Sequence, residues 1–156
     1  MNGPVPRARS LSREVGTVRR AASLLPIRVV RGSSARGPIL IVEDNDETRD
    51  AMVRILALRG FWSVTAGDGA AALHYLRSAP NPAVIVLDIR MPVMDGTTLR
   101  AKLAANPEWA AIPIVVFSAA LPEQPLTDVV ASIRKGSADP DVLLAAIDRA
   151  AGRSDE

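Results

Sequence analysis

The sequence predicts an α/β domain in which a parallel sheet carries helices on both faces. Two observations predict it. Short apolar runs bounded by turn residues recur along the chain: "PILIV", "FWSVTA", "AVIVLD", "IPIVVFSA" and "VVASIRK". Such near-continuous runs suit strands buried on both faces. Amphipathic stretches of helical length follow the first, second, third and fifth of them, and strand–helix alternation is the pattern of parallel βαβ units. In open sheets of this kind, ligands bind beyond the carboxyl ends of the strands. The residues at those ends therefore carry the functional argument.

The elements follow in order. "PILIV" is the first strand. "EDNDETRDAMVRILALRG" is the first helix, with Asn45 or Asp46 as its cap and acids in its first turn, where the helix dipole favours them. Met52, Ile55 and Leu56 share one face, and Gly60 is a stop signal. "FWSVTA" is strand two, with Phe61 and Trp62 read as packing residues. "GDGAAALHYLRSAP" is helix two, ended by Pro80, with His74 on its surface or edge. "AVIVLD" is strand three and "GTTLRAKLAAN" helix three. Asp95, beside Gly96, reads as a turn or cap acid. "IPIVVFSA" is strand four, "VVASIRK" strand five, and "DPDVLLAAIDRAAG" the last helix, with Pro140 in its first turn.

Length and composition bound the possibilities. One domain is the default for 156 residues, and 48% apolar content suffices for a core. No apolar run approaches membrane-spanning length. The N-terminal arginines precede no apolar stretch of secretory-signal length. The chain has no cysteine, which excludes disulfides and thiolate metal sites and is compatible with the cytoplasmic location expected here.

The net charge of +2 hides an asymmetry. Residues 1–38 hold eight arginines and one acid, Glu14, whereas residues 39–156 hold eleven basic and sixteen acidic residues. The expected organisation is a basic, mostly disordered arm over residues 1–37 with a brief helix around Leu11 to Leu24, a domain over 38–152, and a tail over 153–156. The arm reads as a tether to nucleic acid or anionic lipid, as an organelle-targeting peptide, or as an inert or misassigned start. Nucleic acid is not an expected partner except through this arm.

If the sheet forms, Glu43 and Asp44 end strand one, Asp88 ends strand three, Ser118 ends strand four and Lys135 ends strand five. Three carboxylates at one rim repel unless a cation compensates. Oxygen ligands without His or Cys favour a hard ion, Mg²⁺ before Zn²⁺. Mg²⁺ keeps several waters and binds phosphate oxygens, which points to phosphoryl chemistry. A carboxylate can attack phosphorus to give an aspartyl phosphate. Asp88 is then the nucleophile, and Asp44 and Asp88 hold Mg²⁺, with Glu43 acting through water. Lys135 and the Ser118 hydroxyl meet the remaining phosphoryl oxygens.

These residues, in this order, resemble the receiver domain of bacterial response regulators. The matching pieces are "ILIVEDND", "VIVLDIRMPVMDG", "IPIVVFSA" and the "RK" before the last helix. The resemblance covers about residues 38–152. It implies a flavodoxin-like sheet of strand order 2-1-3-4-5. It makes Asp88 the phosphoacceptor, Glu43 and Asp44 metal-site acids, the Arg90 backbone carbonyl a metal ligand, Ser118 the switch hydroxyl and Lys135 the phosphate-sensing lysine. It also implies Mg²⁺ as cofactor and a sensor histidine kinase or histidine phosphotransfer protein as partner.

The chain departs from the family pattern in one region. Only sixteen residues separate Ser118 from Lys135, fewer than the family carries, and Pro122 and Pro125 obstruct a helix there. The helix usual between strands four and five is therefore expected to be missing or reduced to a loop. Ser132 stands where an aromatic is usual, and Gly136 where a proline is usual. Arg90 and Ala120 offer no carboxylate or amide to orient water, so autodephosphorylation is expected to be modest in rate.

The function expected is a single-domain response regulator that signals through protein contacts in a phosphorelay. It is not an enzyme beyond promoting its own phosphorylation and dephosphorylation. The alternative is a phosphorylation-independent interaction module on the same scaffold. A Mg²⁺-dependent hydrolase with an aspartyl nucleophile usually has a second acid two residues on, and that position is Arg90.

Overall fold

Backbone hydrogen bonding lines the strands up side by side, and helices cover their apolar residues on both faces. The computed structural model describes residues 37–137 and 139–152. The expected arm helix and the tail lie outside the described residues. The order of elements is β1 (Ile39–Val42), α1 (Asp46–Leu58), β2 (Ser63–Ala66), α2 (Gly69–Ser78), β3 (Val84–Leu87), α3 (Gly96–Ala105), β4 (Ile114–Ser118), β5 (Ala131–Arg134) and α4 (Pro140–Ala150). All five strands run parallel in the order β2-β1-β3-β4-β5, as the resemblance implies.

Alternation along the strands builds two cores. Leu40, Val42, Ile85, Leu87 and Val116 pack with Leu73 and Leu76 of α2 and Leu99 and Leu103 of α3. Ile39, Ile41, Val84, Val86 and Val115 pack on the opposite face with Met52 and Leu56 of α1 and Leu144 and Ile147 of α4. Phe61 is fully buried in this second core.

The helix caps are local chemistry. Asn45 caps α1 by accepting from the Thr48 amide, whereas Asp46 sits in the first turn and pairs with Arg49. Asp68 caps α2 and Asp95 caps α3 in the same way. Asp95 thus has the structural role read from its place beside Gly96.

Residues 119–130 contain no helix. The loop compensates by turning Leu121, Leu126 and Val129 against the core beneath α2 and α3. Arg100 of α3 donates through two guanidinium nitrogens to Asp128 and pins the loop from outside. After β5 the chain turns at Gly136, whose φ of +78° suits glycine and would strain other residues.

Candidate functional site

The parallel register brings the strand ends together. Val42 lies beside Leu87, and Leu87 beside Val116. Backbone bonds carry the ladder one step further. The Asp88 amide donates to the Val42 carbonyl at 3.0 Å, and the Lys135 amide to the Ser118 carbonyl at 3.0 Å. Residues 43, 88, 118 and 135 are therefore fixed by the sheet itself.

Both oxygens of Asp88 are engaged. The Ser118 hydroxyl donates to Oδ1 at 2.6 Å, and the Lys135 ammonium donates to Oδ2 at 3.1 Å. Asp88 is 7% exposed and Ser118 1%. Lys135 also donates to Glu43 Oε2, and the Asn45 amide donates to Glu43 Oε1 at 3.1 Å. Arg49 donates to the Glu43 carbonyl at 2.9 Å. Asp44 is exposed, yet one carboxylate oxygen from each of Glu43, Asp44 and Asp88 lies within 4.8 Å of the others.

Burial and pairing pull against each other here. Burial raises the Glu43 carboxyl above its ordinary value, although the Lys135 and Asn45 hydrogen bonds oppose it. For Lys135, burial works to lower the ammonium's value, but the bond and charge of Glu43, then those of Asp88, outweigh it and the net shift is upward. The ammonium also lies 5.8 Å from the centre of the Phe117 ring, within cation–π range. Two carboxylates, Glu43 and Asp88, share this one ammonium, and the Asp44 carboxylate lies within 4.8 Å of both, so the cluster gathers more acid than it has paired cation. An all-oxygen donor set of this kind fits a hard divalent ion.

The loop after Asp88 is tied down at several points. The Gly96 amide donates to the Ile89 carbonyl at 2.8 Å. A side chain at Gly96 would place its Cβ 2.4 Å from the Asp88 carbonyl oxygen. The Met94 amide donates to the Pro92 carbonyl at 2.9 Å across Val93, whose φ is +70°. This is a γ-turn of the strained kind, in a β-branched residue that is exposed. The Gly69 amide, at the start of α2, donates to the Met94 carbonyl at 3.0 Å.

Glu43, Asp44, Asp88, Ser118 and Lys135 thus converge. Arg90 is exposed on the neighbouring loop, and His74 is exposed on α2. Sequence reasoning missed three contacts: the Lys135 bond to Glu43, the Arg49 bond to the Glu43 carbonyl, and the Arg100–Asp128 pair. The acid-pair and lysine pattern contains the first implicitly, because an ammonium among three acids bonds more than one. The Arg100–Asp128 pair spans 28 residues and has no local signal.

Residues 39–142 match the family model described as "Response regulator receiver domain". The sensor histidine kinase TmoS of Ectopseudomonas mendocina is 40% identical over 120 residues, a match covering 72% of this chain and 12% of that protein. The transcriptional regulatory protein PrrA of Mycobacterium tuberculosis is 39% identical over 103 residues, covering 65% of this chain and 41% of that one. The chain therefore spans less than half the length of either relative. Among solved structures, a response regulator receiver protein from Pseudomonas putida superposes with a TM-score of 0.67 at 28% identity, covering 74% of this chain and 98% of that one.

Proposed function

The chain belongs to the response regulator receiver domain family, a family of two-component signalling modules that pair with histidine kinases or phosphotransfer proteins, and from that premise we propose that Asp88 accepts a phosphoryl group from a phosphohistidine donor. A single observation carries the reading: Asp88 is held between the Ser118 hydroxyl at 2.6 Å and the Lys135 ammonium at 3.1 Å, beside two further acids. An Asp88 oxygen forms the new bond to phosphorus as the phosphorus–nitrogen bond of the donor breaks and its imidazole leaves. Lys135 then pairs with one phosphoryl oxygen and Ser118 donates to another.

Glu43, Asp44, Asp88 and the Arg90 carbonyl would hold Mg²⁺. When bound, the ion supplies neutralisation of the charge on the transferred group. The chain's own residues do the rest. The sheet holds Asp88 still, Ser118 and Lys135 orient it, and burial limits water around it.

The chain signals by protein contact, within a cytoplasmic phosphorelay. Loop 119–128 is the segment whose contacts change, because Ser118 immediately precedes it. Incubation with acetyl phosphate and Mg²⁺, read by intact mass, tests the reading. A gain of one phosphoryl group is expected, and it should vanish in Asp88→Asn or when the metal is chelated. A wild-type chain that never gains the mass would sink it. The helix-free loop favours a second reading, an interaction module that works without phosphorylation. Partner binding unchanged by Asp88→Asn would select that one.

A further inference from the structure

The three acids at the rim are not anchored alike. Asp88 is held by Ser118 and Lys135, and Glu43 by Lys135 and the Asn45 amide. The Asp44 carboxylate is exposed and takes no hydrogen bond from the described residues. One of its oxygens nevertheless lies within 4.8 Å of carboxylate oxygens of the other two. Its backbone therefore aims it.

Two hydrogen bonds fix that backbone. Each peptide unit is planar, so the Asp44 Cα is the joint between two rigid plates. The plate before it carries the Glu43 carbonyl, and Arg49 Nη1 donates to that oxygen at 2.9 Å. The plate after it carries the Asn45 amide, which donates to Glu43 Oε1 at 3.1 Å. With both plates tied, the direction of the Asp44 Cα–Cβ bond is set. Arg49 is itself firmly placed. Its amide donates to the Asn45 carbonyl at 2.9 Å in the first turn of α1. Its Nη2 donates to Asp46, and its side chain is only 13% exposed.

We propose that Arg49 is the positioning residue for Asp44. By holding the Glu43 carbonyl, it keeps the Asp44 carboxylate turned toward Asp88, where the three acids can share one hard divalent ion. The inference rests on the reading of this rim as a Mg²⁺ site and adds the residue that orders the acid with no bond of its own. It gives Arg49 an effect opposite to that of its charge. A cation beside the acid pair should, by charge alone, weaken the binding of a second cation. A positioning residue should strengthen it, since partners that orient metal ligands are typically worth about ten- to hundredfold in metal affinity.

The sign of the effect is the test. The full chain is titrated with Mg²⁺ alone by isothermal titration calorimetry. Arg49→Met removes the charge and both side-chain bonds. Arg49→Lys keeps the charge but offers one nitrogen where the guanidinium uses two. Both variants should bind Mg²⁺ about ten- to hundredfold more weakly. Without metal, hydrogen exchange of the Asn45 amide should quicken in both, while the amides of β1 and β3 stay protected. Arg54→Met removes an exposed charge from the same helix and should leave Mg²⁺ affinity unchanged or slightly tighter.

Tighter binding in Arg49→Met, or unchanged binding in Arg49→Lys, means that Arg49 acts through its charge and overturns the proposal. Unchanged exchange of the Asn45 amide overturns it too, as does faster exchange throughout the sheet, which would make Arg49 a support of the fold. Should Arg49→Met fail to fold, Arg49→Lys carries both measurements. A wild-type chain that binds no Mg²⁺ brings down the metal reading and the proposal with it. A wild type that binds Mg²⁺ and takes label from acetyl phosphate, beside variants that bind equally well, brings down the proposal alone.

Discussion

Ser118 donates its hydroxyl hydrogen to Asp88 at 2.6 Å, and both side chains are buried at the end of neighbouring strands. Removing the hydroxyl leaves a buried carboxylate oxygen without that donor. Such an orphaned acceptor costs about 1–3 kcal/mol. Ser118→Ala should therefore lower unfolding stability by about that amount, and Ser118→Thr should recover most of it because the hydroxyl remains. Urea denaturation monitored by circular dichroism measures both. Equal losses in the two variants would show that volume, not the bond, matters.

The Glu43 carboxyl sits above its ordinary value of 4.5, chiefly because it is buried. As pH rises past 4.5 the unfolded chain loses this proton first. Folding stability contributed by the group is therefore present below 4.5 and is lost as pH rises through the higher folded value. Asp128 works the other way. The Arg100 hydrogen bond holds it below 3.8, so its contribution is present above 3.8 and lost as pH falls through the lower folded value. The two windows do not overlap. Glu43→Gln should flatten the decline above 4.5 and leave the acid limb unchanged, as read from denaturation midpoints across the pH range.

The Lys135 ammonium occupies oxygens of both Glu43 and Asp88, so it competes with any divalent cation drawn to the same acids. Mg²⁺ should raise the thermal midpoint, with a stabilisation of about 2.7 kcal/mol at a hundredfold excess over the dissociation constant. Lys135→Met keeps the chain length and removes the charge. Its midpoint without Mg²⁺ should fall, because two buried acids lose their counter-charge. Its response should saturate at lower Mg²⁺ than in the wild type. A titration in which the variant needs more Mg²⁺ would mean that Lys135 helps to build the metal site instead of competing for it.

The sheet was legible because each strand is a short apolar run between turn residues, and a run buried on both faces admits few alternatives. The site was legible for a related reason. In a parallel sheet the residue after each strand is delivered to one rim, so Asp88 and Lys135 meet although 47 positions separate them. The missing helix was also readable, since sixteen residues with two prolines cannot hold both the helix and its return. Side-chain pairing between elements was not readable. Asn45 caps α1, while Asp46 pairs with Arg49, which also donates to the Glu43 carbonyl. The partner of Arg100 depends on a loop path that no period encodes.

That loop path gives a prediction about motion. The Arg100–Asp128 pair fastens residues 119–130 to α3, and Asp128 is partly exposed. Exposed pairs contribute only about 0.2–1 kcal/mol, so Arg100→Ala should barely move global stability. The loop has few other anchors, Leu121, Leu126 and Val129 among them. Amide exchange at residues 121–130 should therefore quicken in the variant while β1 and β3 stay protected. Uniform acceleration across the sheet would mean that the pair supports the core itself.

Gly96 and Gly60 make a controlled comparison. Gly96 starts α3 without a positive φ, so on conformational grounds alanine should be better there, by roughly 1 kcal/mol in a helix. Space decides the other way. An added Cβ would lie 2.4 Å from the Asp88 carbonyl oxygen and 2.8 Å from the Ile89 Cα, both backbone atoms that cannot swing aside. Gly60 has the opposite character, with a φ of +75° and nothing within 4 Å of an added Cβ. Gly60→Ala should cost about 1–2 kcal/mol of left-handed strain and leave phosphoryl acceptance alone. Gly96→Ala should cost about 1–3 kcal/mol from overpacking, and it should also slow phosphoryl acceptance because the backbone that must yield carries Asp88. Measuring stability and acetyl phosphate labelling together separates the cases. Equal labelling rates in the two variants would show that the end of β3 absorbs the Gly96 overlap without moving its carboxylate.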